Sequence, residues 1–209
     1  DGYARDRFVE DLEAFIDLLG FQKVVLVGLS MGGWNALLYT PNHQALVDKI
    51  IIVDIAPERS PEALEIQATQ PPHPPAFYTF EEAFTWARGR NQWATERRLR
   101  QDIANKMVQS PTGQWIWKAD PALLNTPLVD NTDPNYISRY WQALETIRCP
   151  IMEVRGKESI IVSDDIVDRM KTANPQLTCM DVDNAGHVVT IDKPQEFIGI
   201  AKEFLGISK

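Results

Sequence analysis

The sequence predicts an α/β fold, a mostly parallel sheet flanked by helices. Three observations predict it. Short apolar, β-branched runs recur at Val24 to Val27, Lys49 to Ile55, Ile151 to Val154 and Leu177 to Val182, as expected of strands buried on both faces. Stretches with helical spacing of apolar residues stand beside them. The first run also passes straight into Gly28-Leu29-Ser30-Met31-Gly32 and then a helical stretch, Trp34 to Tyr39, that stops at Pro41.

The chain has 209 residues, enough for one domain with a sizeable core. Its net charge of −8 disfavours nucleic acid and anionic membrane surfaces as partners. No run approaches the ~20 apolar residues of a membrane span. Cys149 and Cys179 lie beside or inside expected buried strands. They read as small hydrophobes rather than a disulfide framework, which fits a reduced cytoplasmic setting. Three scattered histidines and two distant cysteines make no metal-ligand set. No dinucleotide fingerprint is present, so no cofactor is expected.

Taken in order, Arg5 to Leu19 has Phe8, Leu12, Phe15, Ile16 and Leu19 at helical spacing, with Gly20 as a C-terminal stop. After the second helix, Asn42 to Asp48 is polar and turn-like, and His43 within it reads as a surface residue. The second strand ends at Asp54, just before Ala56-Pro57. An acid there is either a turn-forming residue or part of a site, because ligand sites in open α/β sheets gather at the carboxyl ends of strands.

Residues 59–147 break the strand–helix alternation. Pro71-Pro72-His73-Pro74-Pro75 reads as an extended connection. Phe80 to Ala87, Ala94 to Val108 and Asn135 to Thr146 read as helices, and Gln114 to Lys118 as a short strand. Five of the six tryptophans fall in this insertion, as an aromatic pocket or as the core of a small unit. Beyond Ile151 to Val154, Ser163 reads as an N-cap with Asp164 and Asp165 in the first helical turn. Asp183 to Val188 is a loop carrying His187, and Pro194 opens a closing helix with Phe197, Ala201, Phe204 and Leu205 on its buried side.

Gly28 to Gly32 matches G-x-S-x-G. A serine between two glycines at a strand-to-helix turn is the nucleophile elbow. The serine sits in strained backbone, and glycines two residues either side remove a collision with the neighbouring strand and helix. The same turn leaves Ser30 at a helix N-terminus, whose free N–H groups face developing negative charge. The bland alternative is a glycine-rich turn that cradles phosphate. A Walker-type loop needs Gly-Lys-Ser/Thr, which is absent.

Three stretches together, KVVLVGLSMGGWNALLY at 23–39, IIIVDIAPE at 50–58 and DNAGH at 183–187, resemble the α/β-hydrolase fold superfamily, specifically its small esterase-like members. The resemblance implies a core formed by residues 1–58 and 148–209, with 59–147 as a mainly helical cap over the site. Family members carry several strands before the nucleophile strand, and one of those connections supplies half of the oxyanion hole. No such strands precede Val24, so the chain reads as a fragment incomplete at its N-terminus.

The resemblance also implies roles. Ser30 is the nucleophile, His187 the base, and the Met31 backbone N–H one oxyanion donor. The common acid position, after the strand that follows the cap, holds Ser159. Glu158 is one position early. Other members place the acid one strand earlier, where Asp54 stands. Asp54 is the favoured acid and Glu158 the alternative, with Ser159 as a supporting hydroxyl on the His187–Asp54 pair. The implied activity is hydrolysis of a small-molecule carboxylic ester through an acyl-enzyme. C–C bond hydrolase, lactonase, thioesterase and a non-catalytic receptor remain as alternatives.

Overall fold

Three strand-to-strand crossovers and one insertion build the molecule, seen in a computed structural model that describes residues 3–125 and 132–207. The chain opens with α1 (Arg5–Leu19), β1 (Val24–Leu29), α2 (Met31–Tyr39) and β2 (Val47–Val53). The insertion contributes α3 (Pro61–Thr69), β3 (Ala76–Phe77), α4 (Phe80–Arg90), α5 (Glu96–Lys106), β4 (Met107–Gln109), β5 (Trp115–Trp117), α6 (Pro121–Asn125) and α7 (Pro134–Thr146). Then follow β6 (Ile151–Gly156), α8 (Asp164–Ala173), β7 (Leu177–Val182), α9 (Val189–Asp192) and α10 (Pro194–Leu205).

The main sheet is parallel throughout, in the order β1-β2-β6-β7. Ile50, Ile51, Ile52 and Val53 of β2 are completely buried, as a central strand between two helical layers requires. One side of the sheet packs Ile50, Ile52 and Ile151 against Trp34, Leu37, Ile166 and Met170. The other packs Ile51, Val53 and Val154 against Val189 and the Phe197, Ala201 and Phe204 stripe of α10.

Two burial expectations are corrected. β1 is not buried on both faces: Val25 and Val27 are 41% and 54% exposed. β1 is an edge of the described sheet, and no described residue covers that side of it. In α1, Phe15 and Leu19 are exposed, and the stripe facing the core runs through Val9, Leu12 and Ile16. Gly20 ends α1 in the left-handed region, where its N–H bonds back to Ile16 and Asp17.

The insertion holds a three-stranded antiparallel sheet, β3-β5-β4, beside its helices. The helix expected to reach Val108 stops at Lys106, because Met107 to Gln109 pairs with Trp115 to Trp117 instead. α3 was not foreseen, although its signals are present: the Ser60 hydroxyl accepts from the Ala63 N–H at 3.1 Å and Pro61 fills the first helical position. Trp86, Trp115 and Trp117 pack around Phe77, Ala87, Leu99 and Met107, so most of the insertion's tryptophans build its core. Ser163 opens α8, but its hydroxyl makes no capping bond, and Asp164 bonds Arg155 at 2.7 Å. Both cysteines are free thiols and only partly buried. Burial, with Glu153 and Asp181 nearby, pushes the Cys179 thiol up to about 12.

Candidate active site

Each strand of the parallel sheet ends in, or just before, one polar residue of the site. Ser30 follows β1, Asp54 follows β2, Ser159 lies three residues past β6, and His187 lies in the loop after β7. Ser30 has φ 52° and ψ −119°, a conformation that L-residues rarely adopt. The close approach of strand and helix beneath it requires glycine at two positions. A Cβ on Gly28 would stand 2.3 Å from the Gly32 carbonyl carbon, and one on Gly33 would stand 2.7 Å from Ile55 Cγ1. A Cβ on Gly32 meets nothing within 4 Å among the described residues. The collision argument therefore holds for Gly28 and passes from Gly32 to Gly33. The Met31 N–H is the first of α2, where the helix itself offers no acceptor.

Asp54 is fully buried, with φ 51°. Its Oδ2 receives two bonds: from His187 Nδ1 at 2.7 Å and from the Ser159 hydroxyl at 2.5 Å. A carboxylate only accepts, so Nδ1 carries the proton in this contact, and in the neutral ring Nε2 is the acceptor nitrogen. The Ile161 N–H donates to Ser159 Oγ at 3.2 Å, which directs the Ser159 proton toward Asp54. The Ser30 hydroxyl has no hydrogen-bond partner among the described residues. Glu158 is exposed. Its N–H donates to Ala185 O at 3.0 Å, and its carboxylate meets no described donor. The structure thus brings Asp54, His187 and Ser159 together and leaves Glu158 out.

β6 lies between β2 and β7, so the histidine loop must cross the end of β6 to reach Asp54. Gly156 permits the crossing. A Cβ there would stand 2.1 Å from Gly186 O and 2.6 Å from Ala185 O. The Lys157 and Glu158 N–H groups bond Val182 O and Ala185 O at 3.0 Å each, which fastens the loop in place.

Two buried carboxylates escaped the sequence reading. Asp192, 5% exposed at the end of α9, accepts from the Gly186 N–H at 2.9 Å and from Asn91 Nδ2 at 2.7 Å. Asn91 Oδ1 in turn accepts from the Trp93 and Ala94 N–H groups, both at 3.0 Å. The residue before His187 is thereby tied to the insertion. Burial raises the Asp192 pKa, against the lowering effect of these donors and of His187. Glu153 on β6 is completely buried, and its Oε1 accepts from the Ile55 N–H at 3.3 Å. Burial, then the neighbouring Asp54, push it well above the usual carboxylate range, which favours its protonated form. An acid in the centre of an apolar run, as Glu153 is in Ile151 to Val154, was the available signal for it.

Between sheet and insertion lies a cavity of about 1470 Å³. Trp86, Trp93 and Trp117 form apolar wall, and Ser159 and His187 line it from the sheet side. His73 stands on the same wall, 5.2 Å from the Trp86 ring, and burial lowers its pKa. His43 is elsewhere, stacked 3.9 Å from Tyr39 and bonded to Glu13. Among the described residues no cluster of ligating side chains is placed to hold a metal ion, and no helix is long and apolar enough to cross a membrane.

A parallel sheet flanked by helices, with a strained serine after one strand and a histidine loop after the last, is the α/β-hydrolase fold. The model of the alpha/beta hydrolase family matches residues 1–200, and the chain belongs to that family. Its relatives include a 3-hydroxybutyrate-oligomer hydrolase of Cupriavidus necator, 29% identical over 98% of this chain and 72% of the relative. They also include an sn-1-specific diacylglycerol lipase of Mus musculus, 27% identical over 94% of this chain and 63% of the relative. The chain thus spans less than two thirds of the length of some relatives. Among solved structures, E-2-(acetamidomethylene)succinate hydrolase superposes with a TM-score of 0.82 at 21% identity, over 99% of this chain and 75% of that one. An esterase from Mycobacterium tuberculosis does so at 0.77 and 22% identity, over 98% and 68%. These likenesses establish the shared fold.

Proposed function

We propose that the protein is a carboxylic-ester hydrolase working through an acyl-enzyme on Ser30. The observation that carries this reading is the 2.7 Å contact of His187 Nδ1 with the buried Asp54, made at the strand ends beside a strained serine. His187 Nε2 takes the Ser30 proton as Oγ bonds to the ester carbonyl carbon. The carbonyl oxygen, now anionic, is stabilised by the Met31 N–H at the start of α2. When the tetrahedral intermediate collapses, the alcohol leaves with the proton held on Nε2. Water, deprotonated by the same nitrogen, then attacks the acyl-enzyme and releases the acid. Asp54 fixes the ring's tautomer and stabilises the imidazolium in both halves, and Ser159 steadies Asp54. Apo hydrogen bonds to a nucleophile are often loose and tighten when substrate binds. In this reading residues 59–147 are the cap, and the cavity beneath them receives the ester. The names of the relatives, an oligoester hydrolase and a glycerolipid lipase among them, agree with ester substrates.

The test is hydrolysis of p-nitrophenyl butyrate by the whole protein, with covalent labelling by a fluorophosphonate. Ser30→Ala should abolish labelling. Asp54→Asn should lower kcat by about 10³–10⁴-fold, while Glu158→Gln stays active. Collapse of Glu158→Gln with an active Asp54→Asn would move the acid to residue 158. A wild type that neither labels nor turns over would overturn the hydrolase reading in favour of a ligand receptor.

A further inference from the structure

The cavity wall carries a charge pattern opposite to that of the chain. The protein as a whole has a net charge of −8, yet the cavity is lined by Arg59, Arg88, Arg90, Lys106 and Lys118 against Asp102, Glu158 and Asp192. Among the described residues only Lys106 is paired with an acid, Asp102 at 2.7 Å. The others bond neutral groups among the described residues. Arg88 donates to the carbonyls of Asn91 and Ala94, Arg90 to Gln70 and Pro71, and Lys118 to Asn105 O. Uncompensated cations on a low-dielectric wall concentrate anions in the space they enclose.

Arg59 lies close enough to Asp54 to feel its charge. It follows Asp54 by five residues, and its guanidinium lies 5.4 Å from the ring centre of Trp34, one helical turn after Ser30. Arg59 donates one bond, to Gln67 Oε1 at 3.0 Å. Its buried Nε has no partner, and no carboxylate lies within 4.0 Å of it among the described residues. Asp54 favours its charge, and that carboxylate is already engaged by His187 and Ser159. Arg5 lies over the same Trp34 ring at 5.0 Å and adds positive potential rather than relief. A partly buried guanidinium is costly without an anion, and its planar, charged group matches a carboxylate.

We infer that the substrate is an ester that also bears a carboxylate, and that Arg59 binds that carboxylate while the ester carbonyl lies at Ser30. The inference rests on the ester-hydrolase reading and names its substrate class. One guanidinium suits a singly charged, planar carboxylate better than a phosphate, which calls for several converging donors.

The test compares two esters with the whole protein: monoethyl succinate, and ethyl 4-methylpentanoate, in which an isopropyl group replaces the carboxylate. Wild type should prefer the anionic ester in kcat/KM by about tenfold or more, and the preference should shrink as salt is raised. Arg59→Met should lower kcat/KM for monoethyl succinate by about 10–100-fold and leave the neutral ester within about threefold. Arg59→Lys should fall between. Equal kcat/KM for the two esters in wild type overturns the inference, and so does an Arg59→Met variant that keeps the preference. If Arg59→Met does not fold, the wild-type preference, its salt dependence and competitive inhibition by succinate decide alone. If neither ester is hydrolysed, the ester-hydrolase reading has failed. The anion site is then judged separately, by calorimetric binding of succinate to Ser30→Ala and its loss on adding Arg59→Met.

Discussion

Exchanging Asn91 and Asp192 for one another should do less harm than changing either alone. Asp192 accepts from two donors, the Gly186 N–H and Asn91 Nδ2. In Asp192→Asn the new amide has one oxygen for two donors, so one bond survives and one pair of N–H groups is forced together. Asn91 has no freedom to relieve this by flipping, because its Oδ1 accepts from the Trp93 and Ala94 N–H groups. Two charge-assisted bonds become one neutral bond, and one buried donor is left unmatched. The cost is about 2–3 kcal/mol. Asn91→Asp keeps the bonds from Trp93 and Ala94 but sets one carboxylate against another, at similar cost. The double exchange restores every bond with its polarity reversed at one contact. Its stability from urea unfolding should return to within about 1 kcal/mol of wild type, a coupling of at least about 3 kcal/mol. Because Gly186 precedes His187, each single change should also lower kcat by about 10–100-fold through a misplaced ring, and the exchange should recover most of it. If the double variant is as unstable as the two singles added together, the tie between insertion and histidine loop does not carry load. If the singles lose stability but folded protein keeps its kcat, the tie is structural and does not position His187.

Glu153→Gln keeps a carbonyl acceptor for the Ile55 N–H and removes a titration. The native acid holds a proton that the unfolded chain releases above about pH 4.3, so wild-type stability falls as pH rises above that value. The variant should gain on wild type as pH rises above about 4.3 in paired urea titrations, and an identical pH slope in both proteins would show that burial does not raise the Glu153 pKa. Gly156→Ala puts a methyl 2.1 Å from Gly186 O, a backbone atom. It should cost about 3 kcal/mol and move the histidine loop, which reads out as lost ester turnover in whatever fraction folds. Ser159→Ala removes one of two donors on Asp54 Oδ2. Asp54 is then held less firmly against the His187 ring, so kcat should fall a few-fold. An unchanged rate would leave Ser159 without a role.

What was legible in the sequence follows from how far each feature depends on its neighbours. Ser30, Asp54 and His187 stand immediately beyond runs such as Val24 to Val27 and Ile50 to Val53, whose composition marks them as strands. A parallel sheet collects the carboxyl ends of its strands along one edge, so chain positions far apart become neighbours by topology alone. Strand order was less visible. β6 separates Asp54 from the strand that carries His187, and the gap is bridged only because Gly156 lets the loop cross, a requirement set by two backbone oxygens from Ala185 and Gly186. Asp192 was invisible for the same reason, and Glu153 showed only as an acid inside an apolar run. A carboxylate's burial and partners are tertiary facts, and neither Val189 to Asp192 nor the interior of β6 announces what will face it. In the insertion, local propensity lost to pairing: Met107 to Gln109 extends a helical stretch in sequence but has strand partners in space.

These dependences bear on which acid serves His187. Glu158 follows β6, as does the acid position in much of the family that the sequence resembles, so position in the chain favours it. Geometry does not. Its N–H is engaged with Ala185 O, and its side chain points to solvent. Ser159, one residue on, turns inward and reaches the carboxylate that β2 supplies. The end of β6 thus provides a donor where an acid would otherwise sit. A second carboxylate there would stand against Asp54 with Glu153 already pressing on it from within the sheet. Three acids at one buried point would not all ionise. With the charged form of Glu153 disfavoured by burial and a hydroxyl at 159, Asp54 is left as the one carboxylate in contact with the imidazole among the described residues.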